Sequence, residues 1–206
     1  QVDVASVAAV GDYLGTIIKT AGRIDVLINN AGVTRDGLLV RMKEADWDTV
    51  MDVNLKGTLN CMKAAAKAMM KQRYGRIINM SSMYGISPGS GVTDYNAAKA
   101  AVINYTQSLA MEYSRFGICA TAICPGLIHT EIWDKFADTI AEDLGKTRQD
   151  VLESAADRAS SVKRYARPEE VGKVVAFLAS ECASYITGCP IQVDGGAMAG
   201  IEIKII

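Results

Sequence analysis

Ser82, Tyr95 and Lys99 place a hydroxyl, a phenol and an amine within one short stretch of chain. A helix starting near Asp94 puts Tyr95 and Lys99 at positions i and i+4, on one face and about one turn apart. The Gly, Ser, Pro and Thr residues between Ser82 and Tyr95 are loop punctuation, enough to fold Ser82 back toward that helix. An isolated phenol titrates near ~10. A cation beside it favours the phenolate and draws that value toward neutrality, so the chemistry on offer is proton transfer at an oxygen. The pair by itself is weak: chance gives about 0.5 Tyr-x-x-x-Lys pairs in a chain of this composition. A Tyr95 that merely caps a helix beside a solvated Lys99 would read the same way. Tyr95 is nevertheless the only one of the eight tyrosines with a lysine four positions later.

The surrounding pattern supplies the elements that would hold these groups. Residues 2–4 read as the end of a strand. Residues 6–19 form an amphipathic helix with Val7, Val10, Leu14, Ile17 and Ile18 on its apolar side, stopped by Gly22. Residues 24–28 are a short apolar run suited to a buried parallel strand, ended by Asn29, Asn30, Ala31 and Gly32. A helical region follows over 46–70, interrupted near Gly57. Residues 76–80 are the next strand and lead straight into Ser81 and Ser82. A long helix over 95–113 closes at Phe116-Gly117, and a strand over 118–123 ends at Pro125-Gly126. Residues 131–159 are polar and helical; Pro168 opens a further helix to Ala179 as a first-turn residue. Residues 191–196 are a last strand and turn. Strands alternating with helices predict an α/β fold, a doubly wound parallel sheet of Rossmann-like type. Ligands of such sheets bind beyond the carboxyl ends of the strands. The suggestive residues fall there: 29–32, Ser82, 125–130 and 194–196.

Composition removes other classes. The 206 residues suffice for one domain, 1–206, with a substantial core. Basic and acidic residues balance at 22 against 23, which argues against a nucleic-acid partner bound through phosphate neutralisation. No apolar run reaches the ~18 residues of a membrane span, and no secretory signal is visible. Five cysteines without a C-x-x-C pair read as reduced thiols of a cytoplasmic protein. The single histidine, His129, excludes a His-rich metal site, and no metal is expected. It reads as a surface loop residue rather than a base. Lys67, Lys71, Arg73 and Arg76 form a small basic cluster, a solvated face on which an acidic carrier protein could dock.

Taken together the motifs resemble the short-chain dehydrogenase/reductase family. Asn29-Asn30-Ala31-Gly32 matches its NNAG motif. Asn54, in Val53-Asn54-Leu55-Lys56-Gly57, matches its catalytic Asn, and Ser82, Tyr95 and Lys99 match the rest of its tetrad. Pro125-Gly126 with Thr130 looks like its PG-x-x-x-T segment. Within the family, residues 33–39 and the segment through Trp47 look most like 3-oxoacyl-acyl-carrier-protein reductases. The family's opening strand, Gly-rich loop, helix and second strand have no counterpart here. The expectation is an N-terminally incomplete dinucleotide half, about 50–60 upstream residues completing the βαβ unit.

The resemblance implies NAD or NADP as cofactor, with a small-molecule carbonyl or alcohol, or a carrier-bound acyl chain, as substrate. It implies that Tyr95 exchanges a proton with the substrate oxygen and that Ser82 hydrogen-bonds that oxygen. Lys99 would lower the Tyr95 pKa and bind the nicotinamide ribose, while Asn54 would hold a water linking Lys99 to solvent. Asp3, next to Val4, would take the adenine amino group. Asn30, Ala31 and Gly32 would face the adenosine ribose, and Ile128 and Thr130, after Pro125-Gly126, the carboxamide. Residues 131–166, with Trp133 and Phe136, correspond to a substrate lid. Its length resembles polyol, sugar or hydroxy-acid dehydrogenases of the family, whereas the front half favours a ketoacyl reductase. A member that had become a non-catalytic cofactor sensor or scaffold would typically lose the Tyr or Lys, and both are kept. The family's matching helices pair across two-fold axes, which predicts a homodimer or homotetramer.

Overall fold

The computed structural model describes residues 1–199, and for residues 131–136 and 139 the backbone path alone. Seven helices and four strands follow one another among these residues: α1 Val7–Ala21, β1 Val26–Asn29, α2 Glu44–Met51, α3 Gly57–Gln72, β2 Gly75–Met80, α4 Thr93–Tyr113, β3 Ile118–Pro125, α5 Glu131–Leu144, α6 Arg148–Ala159, α7 Pro168–Ala179 and β4 Pro190–Val193. The strands form one sheet in the order β1-β2-β3-β4. β1 and β2 pair in parallel with Val26 opposite Arg76, and β2 and β3 in parallel with Gly75 opposite Ile118. The expected α/β class with a parallel sheet is the one observed. No helix among the described residues is long and apolar enough to cross a membrane.

The described chain divides into two compact units. The first comprises residues 1–124 and 175–191. Its β2 and most of β3 are buried along their length, which is why neither shows the alternation of apolar and polar residues of a strand with one face in water. Val10 and Leu14 of α1, Met62, Ala65 and Met69 of α3, Leu27 of β1 and Ile77 of β2 share the core. The Ser6 side chain accepts from the Ala9 amide to start α1, and Gly22, at φ 75°, ends it in the left-handed conformation that glycine adopts without cost. The second unit comprises residues 125–174 and those from 192 on. The polar region over 131–159 is two helices, broken at Gly145. Thr147 and Asp150 form a reciprocal capping box at the start of α6. Arg148 grips Asp138 with two bonds of 2.6 and 2.7 Å.

Two local expectations are corrected. Residues 2–4 are not a strand end: the Asp3 carboxylate accepts from the Ala5 amide at 2.9 Å and the Asp3 carbonyl from Ser6 at 3.2 Å, closing a turn into α1. The helical region before Met70 is not broken at Gly57 either. A single π-helical stretch, Asp52–Lys56, joins α2 to α3, and Gly57 continues the helix. Glycine serves there by what it lacks, since a Cβ would lie 2.6 Å from Val4 Cγ2.

Candidate active site

Three of the four predicted tetrad residues meet at the carboxyl end of β2, within the first unit. Ser82 leaves the strand, and its Oγ accepts from the Tyr84 amide at 3.1 Å. That fixes a lone pair inward and leaves the hydroxyl proton to be donated elsewhere. The Ser82 side chain also shares a hydrogen bond with the Tyr95 phenol. Lys99 stands one turn along α4, only 3 % exposed, with its Nζ 5.4 Å from the centroid of the Tyr95 ring. Its ammonium donates to the Met80 carbonyl at 2.8 Å.

The electrostatics differ from the expected pattern. Burial is the largest influence on Tyr95 and pushes its phenol above the ordinary value. The Ser82 hydrogen bond opposes this, while Tyr84 and Asp36 add to it. Lys99 responds to the same burial. It is lowered to about 8, because burial strips its ammonium of water, with Cys124 acting in the other direction. A lysine of that value has given up its proton where a phenol held above its ordinary value titrates, so its charge does not offset the burial of the phenol there.

Asn54 sits in the π-helical stretch, fully buried. Its side chain grips the backbone of Val33: Nδ2 donates to the Val33 carbonyl at 2.8 Å and Oδ1 accepts from the Val33 amide at 3.3 Å. The Asn54 carbonyl accepts from the Thr58 hydroxyl at 2.8 Å. Asn54 therefore pins the turn that follows the Asn30-Ala31-Gly32 segment. A side chain at Gly32 would come within 2.8 Å of Asn54 Oδ1 and 3.4 Å of Lys99 Nζ, so the backbone is bare beside the lysine. Asn30, Ala31 and Gly32 are exposed. Val4, Asn30 and Ala31 line a cleft of about 180 Å³ along β1, together with Leu27, Ile28 and Thr58. A bare backbone, an amide and an ammonium on one rim suit the hydroxyl-rich ribose of a nicotinamide dinucleotide, so these residues fit the group the resemblance implies. Asp3 is exposed, and its carboxylate is engaged by the Ala5 amide.

The remaining predicted cofactor residues belong to the second unit. Gly126 packs against Asp194, where a Cβ would lie 2.8 Å from the Asp194 Cα. Pro125 precedes it at the end of β3. Ile128 pairs with Ala166 in a parallel bridge, and Thr130 is the residue before α5, whose start its hydroxyl does not cap. His129 is exposed, as expected, with its ring edge-on to Tyr165. A separate cavity of about 360 Å³ is lined by Leu127, Arg164, Glu170, Gln192, Asp194 and Gly195. Trp133 and Phe136 of the expected lid lie outside the described side chains.

Several supporting residues escaped the sequence reading. Asn29, taken as a turn former, donates to Asn79 Oδ1 at 2.8 Å, and Asn79 donates to the Thr106 hydroxyl at 2.8 Å, all buried. The available signal was a polar Asn79 directly after Ile77-Ile78 in a buried strand. The Ser81 hydroxyl donates to the Lys99 carbonyl at 2.7 Å; its neighbour Ser82 drew the attention. The basic cluster is also smaller than expected. Arg76 is buried over the Tyr74 ring and bonds Glu181 at 3.2 Å, leaving Lys67, Lys71 and Arg73 exposed.

Residues 1–198 match the family model described as enoyl-(acyl carrier protein) reductase. The 3-oxoacyl-[acyl-carrier-protein] reductase FabG of Thermotoga maritima is 44 % identical over 180 residues, covering 87 % of this chain and 68 % of that protein. The short-chain reductase protein NovJ of Streptomyces niveus is 42 % identical over 194 residues, 94 % of this chain and 72 % of its own. Among solved structures, L-sorbose reductase from Gluconobacter frateurii, complexed with NADPH and L-sorbose, superposes with a TM-score of 0.92 at 30 % identity, over 97 % of this chain and 76 % of that one. ElxO with NADP bound gives 0.87 at 33 %, over 97 % and 77 %.

Proposed function

Because the chain belongs to the short-chain dehydrogenase/reductase family, we propose that it is a nicotinamide-dependent oxidoreductase that reduces a carbonyl to an alcohol, with a 3-oxoacyl thioester as substrate. The observation that carries the reading is the half-buried Tyr95 phenol, bonded to Ser82, held above its ordinary value and with the Lys99 ammonium 5.4 Å from its ring centre. Such a phenol stays protonated at neutral pH and is therefore a proton donor. The Tyr95 O–H bond breaks as the proton moves to the substrate oxygen, and Ser82 donates a second hydrogen bond to that oxygen. Preorganised donors aimed at one developing charge stabilise the transition state without reorganisation. Lys99 keeps a positive charge beside the ring below about pH 8 and compensates the phenolate until it is reprotonated. Asn54 fixes the 30–33 segment, whose backbone would face the adenosine ribose of NAD or NADP, while Lys99 would bind the nicotinamide ribose; the bound nicotinamide supplies the hydride. Pro125, Gly126, Ile128 and Thr130 are assigned to its carboxamide end, Asp3 and Val4 to the adenine end, and residues 131–166 to a substrate lid.

NADP is favoured over NAD because the L-sorbose reductase and ElxO structures hold NADPH and NADP. The thioester reading is supported by the kinship to FabG of Thermotoga maritima. Likeness to L-sorbose reductase supports a second reading, a sugar or polyol. Oxidation of NADPH followed by absorbance, with an acetoacetyl thioester in one arm and ketoses in the other, separates the two. Turnover of ketoses alone would remove the thioester reading. A homodimer or homotetramer is retained as part of the proposal. Ala65 and Ala66 of α3 and Ala110 of α4 are already buried within the chain. Ala100 remains exposed on α4, as does Met111 at 87 %. Light scattering that returned a monomer at micromolar concentration would count against assembly.

A further inference from the structure

We infer that Ser81 is a positioning residue for Lys99, holding the lysine at its backbone end as the Met80 carbonyl holds it at its charged end. The inference rests on the reading of Lys99 given above and goes beyond it, because it concerns what fixes the lysine rather than what the lysine does. Ser81 is 4 % exposed. Its amide donates to the Ile123 carbonyl of β3 at 2.7 Å, which locks the residue to the sheet. Its hydroxyl crosses to α4 and donates to the Lys99 carbonyl at 2.7 Å. Gly85 closes the third side. A Cβ there would come within 2.8 Å of the Lys99 carbonyl carbon, of its oxygen and of Ser81 Oγ.

A mid-helix carbonyl already has a partner in its own helix, so this bond is not needed to satisfy the backbone. What it adds is a fixed distance between the end of β2 and one turn of α4. The residue before Ser81 receives the lysine Nζ at 2.8 Å, and the residue after it, Ser82, bonds the Tyr95 phenol. Three consecutive residues thus set the register of Ser82, Tyr95 and Lys99 against one another. The groups facing Lys99 and Tyr95 from neighbouring elements are Cys124 at the end of β3, Tyr84 after β2 and Asp36 after β1. None of them is moved directly by a change at Ser81.

The test compares Ser81→Ala and Ser81→Cys with the intact wild-type protein, using carbonyl reduction with NADPH and NMR titration of carbon-13-labelled lysine. Misplacement by a fraction of an ångström to an ångström costs up to roughly 100-fold. The expected result is a kcat lowered roughly 10- to 100-fold in Ser81→Ala with a KM changed far less, and a Lys99 midpoint moved from about 8 toward the ordinary lysine value as the turn loosens and admits water. Ser81→Cys keeps the size but donates weakly; it should fall between the two and stands in if Ser81→Ala does not fold. A kcat and a Lys99 midpoint both equal to wild type in a folded variant would overturn the inference. So would a lowered kcat with an unmoved midpoint, since that is what a merely structural role predicts. The lysine titration needs no turnover, so failure of the assigned reaction and failure of this inference are told apart.

Discussion

The two units hold themselves together by different means. In the first, the groups assigned to chemistry are tied by buried, short-range hydrogen bonds: Asn54 to Val33, Ser81 to Lys99, Lys99 to Met80, Asn29 through Asn79 to Thr106. In the second, exposed pairs and backbone bonds, such as Arg148 with Asp138, Arg164 with Glu170, and Val162 and Ala166 with carbonyls of Gly195 and Leu127, stand beside a few part-buried side-chain bonds at Ser160 and Asp194. Buried polar bonds in a low-dielectric setting are costly to break on one side, because the partner is left unsatisfied. Exposed ion pairs contribute little. The difference places rigidity where proton transfer needs fixed distances, and leaves the unit assigned to substrate selection open to local adjustment. Substitutions should therefore grade from severe to slight as they pass from the first unit to the second.

The largest effect belongs to Tyr95→Phe. It removes the proton donor and keeps the ring, so kcat should fall by roughly 100- to 10,000-fold while the thermal midpoint hardly changes. A variant with near-normal turnover would end the proposed mechanism. The raised phenol carries a pH consequence with a definite sign. Reduction, which needs the protonated form, should persist through neutral pH, and the reverse oxidation should rise with alkalinity. Steady-state rates in both directions between pH 6 and pH 10 check this.

Next comes Asn79→Ala in β2. It strands the buried Asn29 amide, removes the bond accepted by the Thr106 hydroxyl, which still donates to the Val102 carbonyl, and opens a small void. The expected loss is about 2–4 kcal/mol of stability, read from urea unfolding. A loss below about 0.5 kcal/mol would mean that water replaces the side chain and that the network is less closed than its geometry indicates.

The contrast between the units also explains what was legible in sequence. The proximity of Ser82, Tyr95 and Lys99 could be anticipated because Tyr95 and Lys99 are one helical turn apart and a loop returns Ser82 toward them, and the strands because short apolar stretches such as Ile77-Ile78 are bounded by turn residues. Ser81 could not be distinguished from its neighbour, since in one Ser-Ser pair the first hydroxyl bonds the Lys99 carbonyl and the second bonds Tyr95. The Asn29–Asn79 pairing depends on which residues lie opposite across β1 and β2, information that no local spacing holds. The π-helical stretch at Asp52–Lys56 likewise leaves no mark that separates it from an ordinary helix. The reversal at Tyr95 was hidden for a related reason. A lysine offsets the burial of a nearby phenol only where it is still charged, and the burial that lowers Lys99 is invisible until β2 and α4 are placed side by side.

Lys99→Met tests the cost of that burial. The folded lysine is lowered to about 8 from an ordinary 10.5, so between those values the unfolded chain binds more protons than the folded one. Stability therefore rises with pH across the window, and below about pH 8 the buried charge is a standing cost of order 3 kcal/mol. Methionine carries no charge to bury. The variant's stability relative to wild type should be most favourable below pH 8 and decline toward pH 10.5. Unfolding curves at pH 7, 9 and 10.5 decide it, and a difference independent of pH would mean that the ammonium is better solvated than its burial implies.

The slightest effect is expected in the second unit, from Asp138→Asn. The Arg148–Asp138 pair has good bidentate geometry, with bonds of 2.6 and 2.7 Å. Both side chains are nevertheless about half exposed, at 52 % and 47 %. Water already solvates such charges, and holding two long side chains in one arrangement has an entropic cost that offsets the attraction. The amide keeps one acceptor oxygen for the guanidinium, so only the charge and one bond of the pair are lost. The thermal midpoint should stay within about 2 °C of wild type, with any shift shrinking at 0.5 M salt. A fall of more than about 5 °C, insensitive to salt, would show that the α5–α6 pair depends on this bridge and would erase the distinction drawn between the units.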